Sequence, residues 1–289
     1  MPKQPLAEVF GFPVDNSSDI AKDYRDSKLC PYNNKVPNCT KSKADDPLGV
    51  CSIHNSDHIA ITCPVRFRER WLIAREAAAF IFPGGTKWTT LLEVQLKDGN
   101  RKSAGNIDVV LVAYDEHGRV TDFGSLEVQA VYISGNVRRP FEDYLENSTN
   151  YLSTSWRGKQ PRADYLSSSR KRLLPQLSYK GAILSAWGRK QVVALHKDFY
   201  HQLPKLPEIN REDAKMAWLL YDLKHNATEN QYHLVSYKTV YTDFEPALQK
   251  ISTPKIGKQE TFIENLQEKL NKELDNAPDT RALFDDDLV

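Results

Sequence analysis

An α/β fold is expected from three features of this 289-residue sequence. One stretch has the apolar period of an amphipathic helix, three closely spaced strands follow it, and helical and strand patterns alternate through the second half. With 40% hydrophobic and 27% charged residues the composition is globular, and the length suffices for one large core or two small ones.

Residues 1–63 are rich in Pro, Asn, Asp and Ser with little hydrophobic period, which predicts an irregular N-terminal subdomain needing a staple. From Pro64 to Phe82, Phe67, Trp71, Ala74, Ala78 and Ile81 recur at three- and four-residue steps and predict a helix ended by Pro83-Gly84-Gly85. Thr89–Leu96 reads as a strand closed by Asp98-Gly99. The second strand is Asn106–Tyr114, with its β-branched IDVVLVAY run, and the third runs from Val120 to about Ile133. Helices are expected over Arg139–Tyr151 and over Asp164–Trp187, the latter interrupted at Pro175. Gln191–Leu195, Met216–Leu223 and Tyr232–Tyr241 read as strands, and Gly257–Leu274 as a charged helix. The domains are therefore drawn as 1–63, 64–274 and an acidic tail, 275–289, read as disordered.

The net charge of +1 gives no hint of a polyanionic partner, but its distribution does. Residues 134–190 hold eleven Lys and Arg against four acids, a local charge of +7, interleaved with Tyr144, Tyr151, Trp156, Tyr165 and Tyr179. Such a segment suits phosphate tracking on a nucleic acid. No apolar run approaches the roughly 20 residues of a membrane span, and MPKQPLAEVF lacks a signal-peptide core. The expectation is a cytoplasmic protein whose cysteines stay reduced.

Asp108 interrupts an apolar strand, and Glu127 and Gln129, two apart, share one face of the next strand. Glu93, on the preceding strand, can join them. Three carboxylates so close stay ionised only around a cation, and hard oxygen ligands select Mg²⁺. A solvated strand face is the alternative. Cys30, Cys39, Cys51 and Cys63 all fall in one polar 34-residue stretch. Their spacing is not C-x-x-C, yet the clustering points to a tetrathiolate zinc or iron site, with His54 and His58 as alternate ligands.

GNIDVVLV followed by GSLEVQAVYISG resembles the core of PD-(D/E)XK nucleases: Asp108 matches the Asp, Glu127 the Glu, and Gln129 stands where the Lys is usual. FGFPVD (Phe10 to Asp15), LGVCSIH (Leu48 to His54) and CPVRFRERW (Cys63 to Trp71) are similar to NotI-type restriction endonucleases, over roughly residues 8–240. That branch carries Gln in the last slot and an upstream Glu, which Glu93 matches. The resemblance implies a restriction-endonuclease-like mixed sheet flanked by helices, with an N-terminal subdomain stapled by a four-cysteine metal site, iron by family habit. It implies Mg²⁺-dependent hydrolysis of double-stranded DNA at a GC-rich palindrome, leaving 5′-phosphate ends, by a homodimer in the bacterial cytoplasm. Asp108 and Glu127 would hold Mg²⁺, Glu93 would assist, and Gln129 would orient water, since an amide is neither a base nor a cation. The competing expectation is a metal-stapled DNA-binding regulator without catalysis.

Overall fold

A computed structural model describes residues 4–33, 36–43 and 45–276. The chain divides into two compact units, Met1–Ser252 and Thr253–Val289. Within the second, Gln259–Asn276 is an 18-residue helix. The acidic tail expected at 275–289 lies outside the described residues from 277 onward.

The N-terminal region is not wholly irregular. It forms a four-stranded antiparallel sheet in the order β2-β1-β3-β4, from β1 (Leu6–Val9), β2 (Phe12–Pro13), β3 (Val50–Asn55) and β4 (His58–Ile61). The strands are too short to show a period, and β1 is buried throughout, so no alternation marks it. Leu6, Val9, Phe10, Val50 and Ile53 share a core with Phe141, Tyr144 and Tyr151. Those last three come from the helices Arg138–Glu146 and Ser148–Tyr151, so two aromatics of the basic segment are packing residues.

The main sheet has six strands in the order β12-β11-β10-β7-β6-β5. They are β5 (Trp88–Lys97), β6 (Ser103–Tyr114), β7 (Val120–Gln129), β10 (Gln191–His196), β11 (Met216–Asn226) and β12 (Gln231–Thr242). β5, β6 and β7 are antiparallel neighbours, β7, β10 and β11 run parallel, and β12 returns antiparallel, so the sheet is mixed as expected. Both faces of its centre are covered. Val192 and Ala194 of β10 pack with Ala77, Ala78 and Ile81 of the helix Leu72–Ile81. Val193 and Leu195 pack with Leu173, Leu177 and Phe244 on the other side.

Three elements depart from expectation. The helix expected from Pro64 starts only at Leu72, because Pro64–Trp71 is a 3-10 segment kinked where Glu69 is extended and Arg70 and Trp71 are left-handed. Tertiary bonds hold the kink: Glu69 accepts from Arg66 at 2.6 Å, from the Leu234 amide at 2.8 Å, and contacts His233 at 2.9 Å. The third strand ends at Gln129, and Tyr132–Ser134 (β8) leaves the sheet to pair with Arg162–Asp164 (β9). Residues 165–186 are helical throughout, with no break at Pro175. π-turns at Ser169–Leu173 and Leu177–Gly181 flank that proline. Wider turns accommodate a missing amide donor and the ring's bulk without ending the helix.

Candidate active site

The register sets the acidic cluster. β6 pairs Val109 with Leu126 of β7, which brings Asp108 beside Glu127, and the Asp108 Oδ2 accepts from the Val128 amide at 2.8 Å. Across β6, the pairs Leu92–Val109 and Val94–Ile107 bracket Glu93 opposite Asp108. Glu93 is exposed and left-handed, with φ of 54°, a conformation costly for a residue with a Cβ. Strained backbone of this kind recurs at functional sites.

Glu127 and Gln129 are 6% and 4% exposed, under the helical residues 165–186 and not on a solvated face. Burial, and next the Asp108 charge, push the Glu127 carboxyl up to about 7 although Lys180 pulls it down. The Lys180 Nζ stands 2.7 Å from Glu127 Oε1, an ion pair by distance, yet neither carboxylate oxygen has a hydrogen bond of good geometry. Gln129 donates its Nε2 to the Ala130 carbonyl at 2.8 Å, leaving Oε1 as the atom that can accept from a water. Lys180 was legible only as one charge of the basic segment.

The Glu127 shift fixes a sign. Folding favours the protonated carboxyl, so its contribution in the metal-free protein shrinks as pH rises from about 4.5 through about 7. Glu127→Gln has no proton to lose. In EDTA, the melting temperature of the wild type should fall relative to that of the variant across this window. Curves that stay parallel would show that Glu127 ionises as freely folded as unfolded.

The cysteines converge from separate elements. A Leu29–Asn38 bridge and the bond from the Cys39 amide to the Lys28 carbonyl, 2.9 Å, set Cys30 beside Cys39. Cys51 lies on β3 and Cys63 two residues after the end of β4, the two segments joined by the bond from the Thr62 amide to the Cys51 carbonyl at 3.0 Å. None of the four is in a disulfide. Burial pushes Cys30 up to about 11 and Cys51 well above the usual thiol range, and Cys63 acts electrostatically on Cys30, Cys39 and Cys51. The buried Lys41 amine, bonded to the Val50 carbonyl and Thr62, lies among them. Among the described residues no three His, Cys, Asp or Glu side chains are set to hold a metal ion. His58 stands apart, four strand residues from Thr62, about 13 Å, and contacts the Tyr165 hydroxyl at 2.9 Å.

Of the eleven cations in 134–190, seven are exposed: Arg139, Arg157, Lys159, Arg162, Arg170, Lys171 and Arg172. A cleft of about 380 Å³ opens beside them, lined in part by Arg139, Asn150, Trp156 and Arg157, with the Arg139 guanidinium 5.8 Å from the Trp156 ring centre. Among the described residues no helix is long and apolar enough to cross a membrane.

No curated protein matches the chain at significant similarity. The sequence profile described as "Restriction endonuclease NotI" matches residues 16–234. That span holds all four cysteines, the acidic cluster and every strand of the six-stranded sheet except most of β12. The chain belongs to the NotI restriction endonuclease family.

Proposed function

We propose that this restriction endonuclease hydrolyses double-stranded DNA at a specific, GC-rich palindrome, using Mg²⁺ at the Asp108/Glu127 pair. The observation that carries this reading is the buried carboxylate on adjacent strands whose two oxygens lack aligned hydrogen bonds. A pair of carboxylates has no use in passive DNA binding, where anions repel phosphate. Hard oxygen donors in this number fit Mg²⁺, which needs few protein ligands and keeps several waters. When bound, the ion polarises the scissile phosphate and stabilises the charge that develops there.

In the reaction, the oxygen of a water forms a bond to phosphorus and the bond from phosphorus to the 3′ oxygen breaks. The products are a 5′-phosphate and a 3′-hydroxyl; the attacking water gives up a proton and the leaving oxygen takes one. Asp108, held by the Val128 amide, and Glu127 supply the ligand oxygens. Gln129 orients the water through Oε1, and Glu93 extends the anionic cluster from β5. A palindrome read by one chain per half-site requires a two-fold homodimer. The exposed cations of 134–190 are the phosphate contacts, in a bacterial cytoplasmic restriction system. Incubation with Mg²⁺ and a long sequenced DNA, followed by mapping of the ends, should return one short symmetric sequence at every cut. Random ends would refute the specificity, and intact DNA the enzyme.

The four cysteines we assign to a structural iron or zinc. Thiols gathered from three elements hold together a region of 63 residues only if something bridges them, and metal binding free energy is then folding free energy. Elemental analysis should find about one iron or zinc per chain. Cys51→Ser should lose it together with solubility. Four rapidly titrating thiols and no stoichiometric metal in the native protein would remove the assignment.

A further inference from the structure

The active site contains a cation that its catalytic strand does not supply. Lys180, on the helical residues 165–186, places Nζ 2.7 Å from Glu127 Oε1 and 2.6 Å from the Asn106 carbonyl oxygen, which accepts its hydrogen bond. It is 5% exposed. Among the described residues no other Lys, Arg or His ion-pairs with Asp108 or Glu127. We infer that Lys180 is the phosphate-binding cation of this active site: it neutralises Glu127 while no divalent ion is present, and turns to a non-bridging oxygen of the scissile phosphate once metal and DNA load.

Three observations support this beyond the ion pair. First, Lys180 occupies a core position. With Leu173, Leu177 and Leu184 it is among the buried residues of the helix, a position usually filled by an apolar side chain. Second, Lys180 sits in the second π-turn, Leu177–Gly181, where the helix departs from regular α geometry above the sheet. Third, a divalent ion held by the oxygens of Asp108 and Glu127 would compete with the ammonium for Glu127, and Lys180 would then need a new partner. A lysine is a point charge on a flexible four-carbon stem, able to change partner without moving the helix. Gln129 remains uncharged and cannot serve in its place.

The inference rests on the nuclease reading above, and the test separates the two. Lys180→Met and Lys180→Arg are compared with wild type in three measurements: single-turnover cleavage at saturating Mg²⁺, affinity for the cleaved duplex in Ca²⁺, and Mn²⁺ binding without DNA. Lys180→Met should cut at least about 100-fold more slowly, the range for loss of one group that stabilises transition-state charge. Its duplex affinity should change only about threefold, because the seven exposed cations carry most of that binding. Its Mn²⁺ affinity should rise, because a competing cation is gone. Lys180→Arg should recover at least about tenfold of the lost rate.

Cleavage by Lys180→Met at the wild-type rate in saturating Mg²⁺ overturns the phosphate role, and tighter Mn²⁺ binding would then make Lys180 a counter-ion only. If Lys180→Met melts early, Lys180→Arg decides: a folded Arg variant no faster than Met means the position is packing. If the wild type itself does not cut, the nuclease reading fails, and an unchanged Mn²⁺ affinity in Lys180→Met would overturn this inference as well.

Discussion

Asp108→Asn and Glu127→Gln should each lose cleavage on the order of 10³-fold or more while binding the target at least as tightly as wild type. Both substitutions keep shape. Asparagine retains an oxygen to accept from the Val128 amide, which Asp108 does now at 2.8 Å, so the β6–β7 junction stays closed. Glutamine removes a carboxylate whose ionised form is disfavoured by burial, so the metal-free Glu127→Gln protein should be no less stable than wild type. What each variant loses is one charge toward a divalent ion, and what it gains is less repulsion of phosphate. Gel shifts in Ca²⁺ and cleavage in Mg²⁺ on one oligonucleotide duplex separate the two effects. Retained cleavage in either variant would remove the site from β6 and β7. Weakened binding in both would mean that the carboxylates hold the DNA only through the metal.

The legible part of this protein was whatever the chain encodes locally. β6 and β7 were readable because IDVVLVAY is a β-branched apolar run bounded by turn signals, as a strand buried on both faces uses, with one charged residue inside it. The spacing of Glu127 and Gln129 then fixed their common face. The N-terminal sheet was hidden for the opposite reason. Its strands have two to six residues, and their cover comes from Phe141, Tyr144 and Tyr151, far downstream in the chain. The kink at Glu69 was invisible because its cause, the amide of Leu234, lies 165 residues away. Pro175 misled because a π-turn can absorb a proline that a regular helix would not. Lys180 is the instructive case. At four residues from Leu184 and three from Leu177 it fell on the apolar stripe of its own helix, a signal present in the sequence but masked by ten neighbouring cations. A cation that breaks an apolar period carries more information than the sum of charge around it.

The largest expected effect on stability lies at Arg66 and Glu8, both fully buried, where the N-terminal sheet meets the rest of its compact unit. Arg66 donates Nε to Glu8 at 3.0 Å, Nη1 to Glu69 at 2.6 Å and Nη2 to the Tyr232 carbonyl at 2.7 Å, with the Tyr32 ring 4.3 Å from its guanidinium carbon. Glu8 also accepts from Ser52 at 2.7 Å. One side chain thus ties β1, the kinked segment and β12, beside the loop of Cys30. Burial opposes both charges: it pushes the Glu8 carboxyl up despite Arg66, while Glu8, Tyr32 and Glu69 outweigh it at Arg66 and hold the guanidinium charged. Removing one partner leaves the other desolvated, so Glu8→Ala should cost about 3–5 kcal/mol. Arg66→Met should cost less, because a stranded Glu8 can take up a proton and keep its bond to Ser52. The cost of losing Arg66 should therefore grow as pH rises and the proton is withdrawn. A pair that was kept mainly for mutual neutralisation predicts a double variant, Glu8→Leu with Arg66→Met, more stable than Glu8→Ala alone. Urea unfolding of the four proteins measures this. Additive losses would instead mean that Glu69, Tyr232 and Tyr32 hold Arg66 in place by themselves, and that Glu8 answers to Ser52 alone.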